Sequence, residues 1–382
     1  MRSSRLRVLH VLNELKPSGA ERMLKVAAQN FRARGIEGHI LGTGIQRGSY
    51  AAELASAGYR IHHIPFGRSV VFFQRLFVFL RREHFDLVHF HAEGANFWSA
   101  MTARFAGQRR LVRTVHSCFE FDGSLRQKRA VQRRLLSWLG VRYVSISRSV
   151  ADNELRRYGI VTTLIPNWYD SGHFRPPSDS ERITARRQFG FADKDVVMVS
   201  VGNCNRIKNH GAILEAMTLI PEGSRPKYLH VGTEELDYPE RERAITLGVS
   251  CNVQFVGAQN DVREALWASD IYVMPSLYEG FSIAALEAIS VGLPAVVYDS
   301  PGLRDLQDPF PDLKLVKNPR DLSTALLAST KNMRQRRNEI TEKNYEIARS
   351  RFGIDAGVER YWKLYQDLVR HAMHEPSQLQ HP

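Results

Sequence analysis

Residues 275–288 read Pro-Ser-Leu-Tyr-Glu-Gly-Phe-Ser-Ile-Ala-Ala-Leu-Glu-Ala, and the rest of the chain can be organised around them. The preceding residues, 270–274, form a short apolar run that predicts a buried strand. Gly280 lies in a turn, and Ser282 followed by an apolar run to Val291 predicts a helix with a serine N-cap. This strand–turn–helix favours anion binding, because the first-turn N–H groups are unbonded and the helix dipole adds about half a positive charge.

Two carboxylates, Glu279 and Glu287, bracket this site. Their spacing of eight residues corresponds to roughly 12 Å if all of it is helical. That separation exceeds the roughly 5–9.5 Å between the two carboxyl groups of a glycosidase. It suits one carboxylate at each end of an elongated ligand with an anion between them, and a nucleotide-sugar has that shape. Two glutamates at this spacing are also common on solvated surfaces, so the pair alone leaves the function open.

The sequence around the two glutamates is more specific. The runs Asp270-Ile-Tyr-Val-Met-Pro-Ser, Glu279-Gly-Phe-Ser-Ile and Leu286-Glu-Ala-Ile-Ser-Val-Gly-Leu-Pro resemble the E-x7-E signature of retaining glycosyltransferases with the GT-B fold, in particular glycosyltransferase family 4. The resemblance implies that Glu279 holds the donor sugar, that Glu287 takes the ribose hydroxyls, and that no metal ion or other cofactor is needed. The backbone that it places against the donor diphosphate belongs to Gly280, Phe281, Ser282 and Ile283.

The length of 382 residues suits two domains rather than one core. Predicted strands and helices alternate, which is typical of parallel, doubly wound sheets. The resemblance implies an α/β chain with two Rossmann-like domains of a GT-B fold and an active site in the cleft between them. We place an acceptor-binding domain at 1–166 and a nucleotide-sugar-binding domain at 167–352. The last part, 353–382, is predicted to be a helix that crosses back to the first domain, followed by a frayed tail.

The hydrophobic pattern predicts strands and helices in both halves of the chain. The first half has strands at 6–12, 38–42, 60–64, 87–90, 111–115 and 143–146, and helices at 20–33, 50–57, 70–83, 96–106, 126–139 and 148–158. The second half has strands at 196–202, 228–231, 253–256, 271–274, 295–298 and 313–316, and helices at 211–217, 282–291, 320–350 and 354–373.

Two loops of the first half also resemble the family. Ser18-Gly19-Ala-Glu resembles the family's GGAE loop, with serine in place of the first glycine, and the family uses that loop to face the donor. On its own, a Ser-Gly pair before a helix is more often a cap. His116 follows a predicted strand and resembles a family histidine that lies near the donor sugar. A neutral imidazole can hydrogen-bond sugar hydroxyls without adding charge.

The loop after the first strand of the second half resembles the family's G-R-x5-K motif, whose Arg and Lys hold the donor diphosphate. Lys208 stands at the lysine position, and Asn203 stands where the family has arginine. Arg206 is the nearest cation that could replace that arginine. Basic residues in an open loop are also often solvated. The run at 165–174 resembles the family's linker between domains, with Trp168 in place of glycine.

The positive charge is concentrated in the first half. The net charge is +13, and the residues up to Ile165 hold 27 Lys and Arg against 11 Asp and Glu. Two segments, 68–82 and 126–138, combine basic residues with aromatic or aliphatic ones. They are either ordinary packing helices with solvated charged faces or a surface that docks on anionic lipid. Nucleic acid is the least favoured partner, because no recognition helix or RNA-binding signature is present.

Other features limit the function classes. The three cysteines, Cys118, Cys204 and Cys251, are widely spaced and give neither a disulfide framework nor a zinc spacing. The basic first residues lack the apolar core of a secretory signal. With the few cysteines this predicts a cytoplasmic protein, and the basic first half predicts one that is peripheral on the inner membrane face. The D-x-D sequence at 193–195 lies in a turn before a strand and is predicted to be structural.

We therefore predict a retaining glycosyltransferase that moves a sugar from a nucleotide-sugar, UDP rather than GDP, to a lipid-linked or otherwise phosphorylated glycan. His116, Glu279, Lys208 and Arg206 are its predicted catalytic residues. Two alternatives are a glycosyltransferase with a soluble small-molecule acceptor and a nucleotide-sugar epimerase on the same fold. A basic nucleic-acid-binding protein is the least favoured reading.

Overall fold

The computed structural model describes residues 5–67 and 69–371, with residues 330–339 and 371 described by their backbone alone. Arg68, which opens one of the two basic segments, and the predicted tail at 374–382 lie outside these ranges. The chain divides into two compact units. One unit contains the chain up to Trp168 and again from Ile354 onward, and the other is Tyr169–Gly353.

The first unit is built on a seven-stranded parallel sheet with the strand order β3-β2-β1-β4-β5-β6-β7. Its central strands are buried on both faces, and Val8 and Leu9 are completely buried, as expected for a parallel sheet covered by helices. The predicted parallel sheet is confirmed, and one short edge strand, β7, is added. The strands are β1 Leu6–Leu12, β2 Ile36–Gly42, β3 Arg60–His63, β4 Leu87–Phe90, β5 Leu111–Val115, β6 Val141–Ser145 and β7 Thr163–Leu164.

In the described part of the chain before the second unit, six α-helices cover this sheet. They are α1 Gly19–Ala33, α2 Ala51–Ala57, α3 Val70–Glu83, α4 Asn96–Phe105, α5 Gly123–Trp138 and α6 Arg148–Asn153. The predicted helix 148–158 is present, and its second half, Glu154–Tyr158, is a π-helical turn that continues α6. This turn buries the Glu154 carboxylate, which accepts a hydrogen bond from Arg133 Nε at 2.9 Å.

The basic helix α5 is only partly solvated. Arg133 belongs to the basic segment 126–138. It is 1% exposed and forms ion pairs with Glu93 and Glu154. Its guanidinium also lies 4.2 Å from the centroid of the Tyr158 ring. Arg133 is therefore a buried structural residue and cannot contact lipid. Arg126 and other neighbours on the helix remain exposed.

The second unit has a six-stranded parallel sheet with the order β10-β9-β8-β11-β12-β13. Buried side chains of β8, β11 and β12, among them Met198, Val273 and Val296, pack on helices in one core. The strands are β8 Val197–Val201, β9 Lys227–Val231, β10 Val253–Phe255, β11 Ile271–Met274, β12 Ala295–Tyr298 and β13 Lys314–Val316. The six strands predicted for this half of the chain are all present in the sheet.

The helices of the second unit include three that the sequence analysis did not identify, α7, α9 and α10. They are α7 Asp179–Gln188, α8 Gly211–Thr218, α9 Pro239–Thr246, α10 Arg263–Ala268, α11 Ile283–Ser290 and α12 Pro319–Phe352. The start of α7 did carry a signal. Ser178 Oγ accepts from Glu181 N at 3.3 Å, and the Glu181 carboxylate accepts from Ser178 N at 2.8 Å, which is the capping box expected for a Ser-x-x-Glu sequence.

The last described helix, α13 Ile354–His371, belongs to the first unit and packs against α1. Arg34 Nε and Glu359 Oε2 are 3.2 Å apart, and Asn30 Nδ2 donates to Asp355 Oδ1 at 2.7 Å. Trp168 is buried beside this helix, and its indole N–H donates to Met23 O at 3.2 Å. Among the described residues, no helix combines the length and the apolar character needed to cross a membrane.

Candidate active site

Three loops of the second unit leave the carboxyl ends of neighbouring strands. They comprise residues 202–210 after β8, 275–282 after β11, and 299–302 after β12. Because the strands are parallel and adjacent, the loops meet at one edge of the sheet, where ligands bind in open α/β folds. Backbone and side-chain hydrogen bonds join the first two loops. Leu277 N donates to Ile207 O at 2.9 Å, and Asn209 Nδ2 donates to Pro275 O at 3.2 Å.

Lys208 and Glu279, predicted from separate motifs, form an ion pair at this edge. Lys208 Nζ lies 2.6 Å from Glu279 Oε1, and the two side chains are 25% and 14% exposed. The position of Lys208 is fixed through its own backbone, since Lys208 N donates to Asn205 Oδ1 at 2.9 Å. The structure thus brings a cation suited to a diphosphate next to a carboxylate suited to sugar hydroxyls.

The third loop supports Glu279 and was not identified from the sequence. Glu279 N donates to Pro301 O at 3.1 Å, and Ser300 Oγ donates to Ser276 O at 2.7 Å. Gly302 adopts φ +79°, and a Cβ at this position would lie 2.5 Å from Glu279 O. A glycine is therefore required for two reasons, namely the positive φ of its backbone and the close approach of the neighbouring loop.

The helix that follows the turn at 275–281 begins as predicted. Ser282 is its N-cap, and its Oγ accepts from Ala285 N at 3.3 Å. Within residues 5–67 and 69–371, the backbone N–H groups of Phe281, Ser282 and Ile283 contact no acceptor. These three groups and the helix dipole make the start of α11 suitable for an anion. Glu287 lies one turn further along and is partly exposed.

The side chain of Tyr272 lies beneath this site. It is completely buried in β11. Burial, with smaller contributions from the negative charges of Glu279 and Glu287, raises the pKa of its hydroxyl well above the ordinary value. Tyr272 is therefore a neutral phenol and adds no charge to the anion site.

Asn203 and Arg206 do not join the ion pair. Asn203 Oδ1 accepts from Thr233 N at 3.1 Å and so connects the loop after β8 to the loop after β9. Arg206 is exposed, and no hydrogen bond or ion pair of its guanidinium occurs within the described part of the chain. Lys208, rather than Arg206, is the cation that the structure places against Glu279.

The other predicted site residues belong to the first unit. Ser18 occupies the N-cap position of α1, which begins at Gly19, but its hydroxyl does not cap the helix. The hydroxyl donates instead to the carboxylate of Glu21. Glu21 is buried, and burial raises its pKa above the usual range. Ser18 therefore fixes the loop through a side-chain contact that a glycine could not make.

His116 lies immediately after β5 and ends a row of three histidines that were not recognised together from the sequence. His10 Nδ1 lies 3.1 Å from His91 Nε2, and His91 Nδ1 lies 2.9 Å from His116 Nε2. Burial is the main cause that lowers the pKa of each ring below the ordinary value of a histidine. We call His10, His91 and His116 the histidine row.

A fourth imidazole, that of His89, packs beside the row but has its own partners. Its Nδ1 lies 2.7 Å from the hydroxyl of Tyr365, and its Nε2 lies 2.7 Å from Thr114 Oγ1. Ring nitrogens of His10, His89 and His91 all lie within 4.8 Å of one another, a spacing that a metal ion could occupy. The nitrogens of His89 and His91 already bond hydroxyls or neighbouring imidazoles, so this donor set fits a hydrogen-bonded cluster better than a metal site.

Two family models match nearly the whole described chain. The model for glycosyl transferases group 1 matches residues 181–369, which include the Lys208–Glu279 site, and the model for glycosyltransferase family 4 matches residues 17–173. The chain belongs to the group 1 glycosyltransferases. The glycosyltransferase and the GT-B fold predicted from the sequence are therefore confirmed.

Two relatives of this glycosyltransferase are named for lipid-linked or lipopolysaccharide glycans, and a third is the mannosylfructose-phosphate synthase of Agrobacterium fabrum, 30% identical over 48% of this chain and 42% of that protein. The UDP-Gal:alpha-D-GlcNAc-diphosphoundecaprenol alpha-1,3-galactosyltransferase of Escherichia coli is 28% identical over 236 residues, which are 58% of this chain and 60% of that protein. The lipopolysaccharide glucosyltransferase WaaG of Escherichia coli K12 is 30% identical over 135 residues, 35% of this chain and 36% of that protein. The chain thus spans less than two thirds of the length of these two relatives.

Solved structures show the same fold. Anabaena Alr3699/HepE in complex with UDP superimposes with a TM-score of 0.80 at 18% identity, over 95% of this chain and all of that one. The same protein is also known in complex with UDP-glucose. At this identity the likeness establishes the fold and does not identify the donor of the present glycosyltransferase.

Proposed function

We propose that this glycosyltransferase transfers a sugar from a UDP-sugar, with retention of configuration, to a hydroxyl of a lipid-linked glycan. The observation that carries the proposal is the Lys208–Glu279 ion pair of 2.6 Å beside the unbonded N–H groups at the start of α11. The cation and the helix N-terminus at this sheet edge suit the diphosphate of a nucleotide-sugar, and the carboxylate beside them suits the hydroxyls of its sugar. The choice of UDP is supported by the galactosyltransferase relative, whose donor is UDP-Gal.

The charge that develops in the reaction assigns a role to each group. Breaking the bond between sugar C1 and the phosphate oxygen leaves additional negative charge on the diphosphate. Lys208 breaks its ion pair with Glu279 and binds that diphosphate. The N–H groups of Phe281, Ser282 and Ile283 bind the same anion. Glu279, released from Lys208, accepts hydrogen bonds from the sugar hydroxyls. Arg206 is exposed on the same loop and binds the second phosphate charge. It thereby replaces the arginine that the family has at the position of Asn203.

The remaining contacts follow the family resemblance. Glu287 accepts from the ribose hydroxyls, which favour a carboxylate acceptor. His116 contacts the donor sugar, and the loop at Ser18 and Gly19 faces the donor. No side chain is assigned as a nucleophile. The acceptor hydroxyl attacks C1 from the face that the diphosphate leaves, its proton passes to the departing phosphate oxygen, and the configuration at C1 is retained.

A lipid-linked acceptor is supported by the surface of the first unit. Helices α3, α4 and α5 are neighbours, and each exposes large apolar side chains. Basic residues accompany them, Arg75 and Arg81 on α3 and Arg126 on α5. Apolar side chains among cations are the composition of a surface that docks on anionic lipid. The most exposed apolar residues of these helices are Val70, Val78, Trp98, Phe105, Val131 and Trp138.

The proposal is tested by measuring UDP release from a panel of UDP-sugars, with and without a sugar-diphosphate-lipid acceptor in mixed vesicles. Release that requires the lipid acceptor supports the proposal. Release that is equally fast with the water-soluble glycan alone would show a soluble acceptor instead. UDP release without any acceptor would show a hydrolase, and conversion of the UDP-sugar into its epimer without net UDP release would show an epimerase. Glu279→Gln is the companion variant, and activity that survives it undiminished would refute the assigned site.

A further inference from the structure

The histidine row connects the predicted sugar-binding histidine to the interior of its own unit. Its members come from three neighbouring strands in the sheet order β1-β4-β5, with His10 inside β1, His91 directly after β4 and His116 directly after β5. His10 is 2% exposed, whereas His91 and His116 lie at the strand ends and are partly exposed. The two nitrogen–nitrogen distances, 3.1 and 2.9 Å, are those of hydrogen bonds.

Neutral imidazoles in such a row cannot choose their tautomers independently. A neutral imidazole has one N–H donor and one bare acceptor nitrogen, and burial favours the neutral form of each ring. The contacts join His10 Nδ1 to His91 Nε2 and His91 Nδ1 to His116 Nε2. Each contact needs one donor and one acceptor. Both are satisfied only if all three rings carry the proton on Nδ1, or all three carry it on Nε2.

We infer that His91 is a positioning residue, which orients the His116 ring and couples its tautomer to that of His10. The consequence lies at His116 Nδ1, the nitrogen that the row leaves available. This atom is a donor in the first setting and an acceptor in the second, so a sugar hydroxyl meets one defined partner rather than a mixture. The inference rests on the proposed role of His116 at the donor sugar.

The surroundings keep the ring of His91 in place. The centroid of the His89 ring lies 4.1 Å from that of His91, and His89 is itself held by Tyr365 and Thr114 at 2.7 Å each. Thr114 Oγ1 also lies 2.8 Å from the hydroxyl of Tyr361. His91 is therefore fixed at both nitrogens and across its face, and a change at this residue reaches His116 directly.

The coupling can be measured on the unmodified protein. Long-range nitrogen–proton NMR spectra of the full chain, labelled with ¹⁵N-histidine and recorded at pH 7.5, distinguish the two tautomers of each ring. Single substitutions assign the three signals. We expect His10, His91 and His116 to share one tautomer, all Nδ1–H or all Nε2–H. Different tautomers within the row would overturn the inference, and so would chemical shifts of a bound zinc ion that EDTA removes.

Substitutions test the effect on the reaction. His91→Phe keeps a ring and removes both hydrogen bonds, and we expect kcat/KM for the donor to fall roughly tenfold, the worth of one or two neutral hydrogen bonds. His91→Asn can keep a contact with His116 but not the link to His10, so it should recover part of the loss. His63→Phe, at the end of β3 in the same sheet, is the matched control.

A double-mutant cycle separates this inference from the function on which it rests. In the His116→Phe background, His91→Phe should cause no further loss of kcat/KM, because its effect passes through His116. If the fold-losses of kcat/KM in the two single variants multiply in the double variant, the positioning role of His91 is wrong. If His116→Phe leaves activity unchanged, the proposed contact of His116 with the donor sugar is wrong, while the tautomers in the wild type still decide whether the row is coupled.

Discussion

Replacing Lys208 by methionine removes one charge and keeps an unbranched side chain that is one heavy atom shorter. In the donor-free protein the change leaves the Glu279 carboxylate without the ammonium that lies 2.6 Å away. In the donor complex it removes a cation from the diphosphate. The two effects have different sizes and can be measured separately.

The stability effect follows from the exposure of the pair. The two side chains are 25% and 14% exposed, so the pair lies between exposed ion pairs, worth about 0–1 kcal/mol, and fully buried pairs, which cost about 3–5 kcal/mol when one partner is removed. We expect a loss of about 2 kcal/mol in the free energy of unfolding. The catalytic effect is larger, because a lost contact to developing charge typically lowers kcat by a factor of roughly 10² to 10³.

Urea denaturation measures the first effect and a UDP-release assay the second. Lys194→Met is the matched control, since Lys194 is exposed in the turn before β8 and its substitution changes the net charge equally. The control should lose neither stability nor activity. A Lys208→Met protein that is folded and retains more than half of the wild-type kcat would refute the assignment of Lys208 to the diphosphate.

Three further predictions concern the loop, the buried histidines and the surface. Gly302→Ala should lower activity and stability, whereas Gly190→Ala, at φ +74° with nothing within 4 Å of its Cβ, should cost only backbone strain. If the two variants lose equal activity in enzyme assays and equal stability in denaturation, the close contact between Gly302 and Glu279 is contradicted. Burial lowers the pKa of His10 to about 3, so the unfolded state binds more protons below pH 6.5, and stability should fall on acidification. At pH 5 His10 alone should cost about 2 kcal/mol in urea denaturation, and an unchanged pH slope in His10→Gln would contradict this. Trp138→Ser should weaken co-sedimentation with anionic vesicles several-fold and Leu236→Ser should not, although both side chains are over 80% exposed; equal binding of the two variants would exclude α5 from the membrane surface.

Much of the second unit was predictable because its signals are local. A strand, a glycine-bearing turn and a capped helix lie within about twenty consecutive residues, and Ser282 caps α11 as its sequence indicates. The pairing of Lys208 with Glu279 was predictable only through the family resemblance, since 71 residues separate them along the chain. Parallel β8 and β11 bring their loops together, and that adjacency is a property of the strand order.

Other parts of the site depend on partners that no local pattern indicates. Gly302 supports Glu279 from a third loop, and its sequence context is an ordinary Pro-Gly turn. The row of His10, His91 and His116 spans three strands, and its two contacts join residues 81 and 25 positions apart, which no local pattern connects. Arg133 looks like a member of a solvated basic helix, yet its acidic partners are 21 and 40 residues away.

We propose that the loops around Lys208 and Glu279 bind a nucleotide-sugar whose ribose contacts Glu287. The most direct test is thermal unfolding with a panel of UDP- and GDP-sugars in the presence of EDTA, for the wild type and for Glu287→Ala. At a ligand concentration about 100 times Kd, binding adds roughly 2.7 kcal/mol of stability. We predict that a UDP-sugar stabilises the wild type and loses most of that effect in Glu287→Ala. Equal stabilisation of both proteins, or stabilisation by none of the nucleotides, would contradict the account.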